Sequence, residues 1–151
     1  MASYTITHCT VADSAELSAN NIPAFWQDPH WILAWKHRTL EHQIGQVTKR
    51  FPRNLLNERT IKRHQKALDP ETGRIVGYAR WYLPDASATN ADGTFAWPEA
   101  VVPAVTQEEE AEFRRIASTV IWDPNNESEE TPDRVEETKK EILARKPYMR
   151  A

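Results

Sequence analysis

Lys66-Ala67-Leu68-Asp69-Pro70-Glu71-Thr72-Gly73-Arg74-Ile75-Val76-Gly77-Tyr78-Ala79-Arg80-Trp81-Tyr82-Leu83 is the stretch that decides the fold. Its centre, Asp69 to Gly73, is built of turn formers, each for its own reason. The Asp carboxylate accepts nearby backbone N–H groups, Pro presets φ, and Gly enters the left-handed region without a Cβ penalty. Apolar arms on both sides make it a β-hairpin. In the second arm Ile75, Gly77, Ala79, Trp81 and Leu83 share one face, and Val76, Tyr78, Arg80 and Tyr82 the other. Large side chains on both faces predict an interior strand rather than an edge.

Working outward towards the N-terminus, Tyr4 to Thr10 alternates Tyr4, Ile6 and His8 against Thr5, Thr7 and Cys9, the pattern of a half-buried strand. Asp13-Ser14-Ala15-Glu16 reads as a capping box that starts a helix, and Pro23 bends or ends it. Asp28-Pro29 repeats the start signal, with Asp as N-cap and Pro at the first helical position. Trp31, Trp35, Leu40 and Ile44 continue at spacings near 3.6, which predicts a second helix over His30 to Gln43. Pro52 to Lys66 fits either a helix through Leu55, Leu56 and Arg59 or the approach to a strand.

Towards the C-terminus, Pro84 to Pro103 is a Pro- and Ala-rich connection, and loops of that length are functional or mobile more often than short ones. Thr106-Gln107-Glu108-Glu109 forms another capping box, followed by Phe113, Ile116, Ala117 and Val120 at helical spacing, with a stop at Trp122-Asp123-Pro124. Residues 125–133 are acidic and expected to be mobile, and Arg134 to Lys146 carries a weaker helical pattern. No internal repeat is present. The sum is a single α+β domain over residues 1–151: an N-terminal strand, two helices, an antiparallel hairpin and C-terminal helices.

With 151 residues there is chain for one core. No apolar run approaches the roughly 18 residues of a membrane span, and the first residues have neither a basic nor an apolar leader segment. The single Cys9 permits no intramolecular disulfide, so a reducing compartment is expected, the cytoplasm first and the nucleus second. A net charge of -3 hides an uneven distribution: Gln107 to Glu141 holds twelve acidic and five basic side chains. Conversely, His42 to Lys66 holds seven basic residues (Lys49, Arg50, Arg53, Arg59, Lys62, Arg63 and Lys66) against Glu58 alone. That patch can attract phosphate, in nucleic acid or in a coenzyme, but without a recognition motif a solvated basic face is the expectation, and no nucleic-acid partner is expected.

The order of elements, the Ala24-Phe25 and Asp28-Pro29 pairs, Trp97-Pro98-Glu99 and above all the run from Lys66 to Pro84 resemble the first half of fungal GNAT-type N-acetyltransferases. The likeness runs from about Tyr4 to the C-terminus. It implies a partial GNAT-like fold and acetyl transfer from acetyl-CoA to an amine on a small molecule or peptide. In that family two helices after the first strand wall the acceptor site. A fourth strand and a Q/R-x-x-G-x-G/A turn then bind the coenzyme, the turn's N–H groups meeting the diphosphate at a helix N-terminus. The four glycines here, Gly45, Gly73, Gly77 and Gly93, match no such spacing, and the sequence reaches Ala151 about where the fourth strand is due. The expectation is therefore a domain that lacks its coenzyme half, through a clipped reading frame or as a genuinely short protein. It would be inactive or impaired alone, with a partner or a second copy covering an exposed sheet edge. The alternative is a non-catalytic substrate-binding or protein-interaction module.

Trp26, Trp31 and Trp35 fall on the helices that would line the acceptor pocket, where they can hold an apolar or cationic amine, and Arg80 joins them as a substrate-binding candidate. Core packing competes, because Trp31 and Trp35 are i, i+4 on one helix face. Asp85 and Glu99 border the loop after the hairpin and read as solvated carboxylates before they read as bases. No residue is assigned catalysis. His30, His37, His42 and His64 show no metal-ligand spacing, so no metal is expected.

Overall fold

The structure, a computed structural model, describes residues 3–125 and 132–145. The elements run β1 (Thr5–His8), α1 (Ser14–Phe25), α2 (Pro29–Trp35), α3 (Leu40–Leu56), β2 (Lys62–Leu68), β3 (Ile75–Tyr82), α4 (Gln107–Ala117) and α5 (Pro132–Arg145), with short 3-10 turns at Val11–Asp13, Asp85–Ser87 and Pro98–Ala100. The class is mixed α+β around an antiparallel sheet of order β1-β2-β3. The acidic stretch 125–133 lies outside the described residues except for Asn125 and the start of α5.

The hairpin forms as its turn chemistry demands. Asp69 Oδ1 accepts from the Glu71 and Thr72 amides at 2.9 and 2.8 Å, and Gly73 takes φ 69°. Two details depart from the sequence reading. β3 is an edge strand among the described residues and β2 is the central one, and bulk on both faces of β3 reflects cover on both sides of the sheet. The second detail is a bulge: Ala67 faces Gly77 and Leu68 faces Ile75, leaving Val76 as the extra residue. The bulge resets the alternation. Ile75 and Tyr78 both pack on the core, although strict alternation puts them on opposite faces.

Both faces of the sheet are covered, by different material. Helices α1 and α3 cover one face, where Leu17, Ile22, Val47, Phe51, Leu55 and Ile75 form the core. The segment 84–103 covers the other. It is hydrogen-bonded throughout: Ala96 N donates to Ala88 O, Asn90 N to Thr94 O, and Thr89 and Phe95 form an isolated bridge. Paired residues across an antiparallel ladder share a face. Lys62, His64, Lys66, Tyr78, Arg80 and Tyr82 therefore belong to the helix face, and Arg63, Gln65, Ala79 and Trp81 to the loop face.

The helices correct the sequence reading at their ends. The capping box belongs to Thr10 and Asp13, with Thr10 N donating to Asp13 Oδ2 at 2.6 Å, and not to Asp13 and Glu16. Glu16 instead accepts from the Ile75 amide at 2.7 Å, which ties α1 to the start of β3. Pro23 sits in the last turn of α1 and the helix runs on to Phe25. Asp28 caps α2 as expected, accepting from His30 N and Trp31 N. The helix expected over His30 to Gln43 is two helices: α2 stops at Trp35, and Thr39 restarts the chain by accepting from His42 N. The ambiguous stretch 52–66 resolves into the end of α3, with Pro52 inside it, a turn, and β2. The Thr106–Glu109 box forms, but α4 ends at Ala117, well before Trp122. Among the described residues no helix is long and apolar enough to cross a membrane.

Candidate functional site

The aromatic candidates gather at one end of the helical layer. Phe25 stacks on Trp31 at 5.9 Å, Trp31 meets Trp35 at 6.2 Å, and Trp35 meets Trp122 edge-on at 4.5 Å. Trp122 arrives from beyond α4 and is held there by local anchors. Asn125 N donates to Ala34 O at 2.8 Å, Arg38 pairs with Asp123 at 2.5 Å, and Ile121 N donates to Gln46 Oε1 at 3.0 Å. Trp26, Trp31, Ile32 and Trp35 line a groove of about 340 Å³ with Lys36 and Arg38 at its rim. Trp35 is buried and packs as core, whereas Trp26 and Trp31 keep part of their surface. The structure thus brings the three tryptophans together. Asp123 offsets the charge of Arg38 at that rim, so the aromatic faces can take a neutral or cationic amine.

Arg80 lies elsewhere, on the helix face of β3, in a basic cluster that sequence spacing does not assemble. Its cross-strand partner is His64, which is 1% exposed. His64 Nδ1 is 2.8 Å from the Tyr78 hydroxyl, and Tyr78 packs edge-on against Phe51 of α3 at 5.4 Å. His64 Nε2, on the far side of the ring from Tyr78, is buried and has no hydrogen-bond partner among the described residues. Arg80 lies over Tyr82 at 5.3 Å; Lys62 Nζ is 5.4 Å from the same ring and pairs with Glu58 at 2.6 Å. From α3, Arg50 lies 4.0 Å over the Trp122 ring, with Nε buried and likewise unpartnered among the described residues.

The protonation states follow from burial and like charges. Burial, then Arg80 and Lys62, push His64 down to about 4, so the imidazole is neutral near pH 7. Burial, then Arg80 and Arg53, lower Arg50, and burial above all raises Tyr78. Next to this cluster, Cys9 is buried and bonded through its amide to His64 O, and burial, reinforced by Asp13, pushes its thiol up to about 12. A buried neutral thiol is a poor nucleophile at neutral pH, and an imidazole with so low a pKa is a weak base. The cluster is equipped to recognise a ligand, with donors and positive charge.

The basic run of His42 to Lys66 is a solvated face only in part, at the exposed Lys49 and Arg53. Lys62, Arg63 and His64 are buried, and Lys66 pairs with Asp13 at 2.6 Å. Arg59 Nε donates to Val102 O at 2.8 Å. Arg63 is 0% exposed, and its guanidinium donates to the carbonyls of Ala96, Ala88, Arg59, Thr60 and Lys62. It clasps segment 84–103 to the sheet. Sequence alone could not show this, because two of those carbonyls come from far along the chain. Asp85 and Glu99 are exposed at 3-10 turns of that segment. On the same side His8, Arg59, Asn90 and Phe95 border a second groove of about 640 Å³.

No glycine turn among the described residues offers a backbone cradle to a coenzyme diphosphate. Gly45 lies inside α3 and Gly77 inside β3. The two glycines at positive φ sit in turns that are already closed, with Gly73 N donating to Asp69 O and Gly93 N to Asn90 O. The N-terminus of α4 is filled by its own Glu109, whose carboxylate accepts from Thr106 N at 2.9 Å. Among the described residues no group of three His, Cys, Asp or Glu is placed to hold a metal. Compared with family models, curated proteins and solved structures, the chain matches none.

Proposed function

We propose that this chain is the acceptor-side half of a GNAT-type N-acetyltransferase fold, a module that binds an amine-bearing small molecule or peptide. The observation that carries the reading is topological. Strand, helices and hairpin follow in the order the sequence resemblance implies, and the sheet order β1-β2-β3 leaves the outer edge of β3 unpaired among the described residues. An exposed sheet edge is what the resemblance implies for a domain that lacks its later strands. The aromatic groove of Trp26, Trp31 and Trp35 lies on α1 and α2, the helices that follow the first strand.

No step of acetyl transfer is assigned to these residues, because no turn among them offers amides to the diphosphate of acetyl-CoA. The second reading, a substrate-binding module without chemistry of its own, is favoured by the burial of Cys9 and His64, the one with a neutral thiol and the other with a weakly basic ring. Calorimetry with acetyl-CoA, paired with a mass-spectrometric search for acetylated amines, separates the two. Micromolar binding of the thioester or turnover of an amine supports the transferase. Silence towards acetyl-CoA, with an aromatic amine still quenching tryptophan fluorescence through the groove, supports the binding module. Silence in all three measurements removes both.

A further inference from the structure

We propose that Arg50, Arg80 and His64 form a binding site for a small oxyanion, a phosphoryl or carboxylate group, between α3 and the helix face of β3. Three observations converge on it. Arg80 and His64 are directly opposed across the β2–β3 ladder, so their side chains leave the sheet on the same face. Arg50 belongs to α3, whose Phe51 packs on Tyr78 of the same sheet face, and its guanidinium is near enough to Arg80 for the two charges to interact. Neither arginine has a carboxylate partner among the described residues, while the neighbouring cations do: Lys62 pairs with Glu58 and Lys66 with Asp13.

The unpartnered atoms make the case stronger than charge alone. Arg50 Nε and His64 Nε2 are both buried and both lack a hydrogen-bond partner among the described residues. A buried donor without an acceptor is unfavourable, and native structures leave few of them. When the Tyr78 hydroxyl donates to Nδ1, the imidazole proton resides on Nε2, which then offers a neutral N–H on the sheet face that carries Arg80. Guanidinium groups with a fixed fork of donors match the oxygens of phosphate and carboxylate, and Trp122 beneath Arg50 together with Tyr82 beneath Arg80 holds both planes in place. Burial first, and then the positive charges of Arg80 and Arg53, disfavour the Arg50 cation, and an anion beside it would offset both.

The test is an NMR titration of the full chain with inorganic phosphate and, separately, with acetate, at constant ionic strength. It follows the His64 ring protons and the Arg50 and Arg80 Nε–H signals. Saturable shifts at these three residues are expected, with affinity reduced at least about tenfold in Arg50→Gln and in Arg80→Gln, since a charge-assisted bond is lost in each. Arg80 is exposed, so its variant folds even if the Arg50 variant does not. Arg115→Gln, on the exposed face of α4, should bind as the parent does. Saturation by phosphate alone assigns a phosphoryl ligand, and saturation by acetate alone a carboxylate. No saturable shift of His64 with either ion, or equal affinity in parent and Arg80→Gln, overturns the site.

Discussion

Arg63 and His64 are neighbours on β2, both buried and both basic, yet they face opposite sides of the sheet and are treated in opposite ways. On the loop face Arg63 meets five backbone carbonyls, so its charge is hydrogen-bonded without any carboxylate. On the helix face His64 has one bond, to Tyr78, and its other nitrogen has no partner among the described residues. The contrast separates structure from recognition. A fully bonded buried cation fixes a fold, and a partly bonded ring opposite Arg80, which has no carboxylate partner among the described residues, marks where the proposed ligand belongs.

The strongest way to break the comparison is to remove the clasp. Arg63→Met leaves several carbonyls of segments 59–62 and 88–96 without a donor, and the loop loses its tie to β2. A loss of about 3–5 kcal/mol is expected, from unsatisfied buried acceptors at roughly 1–3 kcal/mol each with partial relaxation. For a chain of this size that lowers Tm by roughly 10 °C. Arg63→Lys should not rescue it, because an ammonium cannot span carbonyls from three directions. Urea unfolding reads the effect, and a loss below about 1 kcal/mol in Arg63→Met would show that the loop is held by something else.

A smaller effect is expected from titrating His64. Its folded-state value is depressed, to about 4 from an ordinary 6.5, by burial first and then by Arg80 and Lys62. The neutral ring therefore stabilises the fold fully above pH 6.5, and that contribution is lost as pH falls towards 4, because the unfolded chain takes up the proton first. The difference corresponds to about 3 kcal/mol as an order of magnitude. Urea midpoints of the parent should fall through that window more steeply than those of His64→Gln. Parallel pH profiles for the two proteins would show that the ring is already protonated in the folded state and that the helix face is wetter than its burial implies.

How much of this was legible in the sequence depended on distance along the chain. The hairpin turn and the α4 cap close within a few residues, so Asp69, Gly73, Thr106 and Glu109 announce themselves. The break between α2 and α3 also has a local signal, the Thr39 cap, but the tryptophan and leucine spacing runs straight across it and hides it. The tryptophan cluster was half legible: Trp31 and Trp35 follow from helical spacing, while Trp122 joins them only through tertiary anchors at Asp123 and Asn125. The roles of Arg63 and His64 were not legible at all. Within a basic run they look alike, and only the sheet's register and the loop that folds back from residues 84–103 assign them to different faces. The Val76 bulge had no cue beyond the following glycine, and it is what brings Tyr78 to the core side, where it meets His64.

The finest test concerns a neutral contact on the loop face, where bonding is complete but no charge is involved. Trp81 Nε1 donates to Gln65 Oε1 at 3.2 Å, and the Trp81 ring lies 6.2 Å from Trp97 of the covering segment. Gln65→Met keeps the volume and removes the acceptor, so the indole N–H loses a neutral bond in a half-buried site. A loss of about 0.5–1.5 kcal/mol follows, with little pH dependence. If the loop face is held mainly by Arg63, through its bonds to Ala88 and Ala96, Gln65→Met should add to Arg63→Met by less than its own single-variant loss, since the segment carrying Trp97 has already been released. Strict additivity in that double-variant cycle would mean that Trp81 and Gln65 act within the sheet alone, and the covering segment would then owe its place to Arg63 without help from the tryptophans.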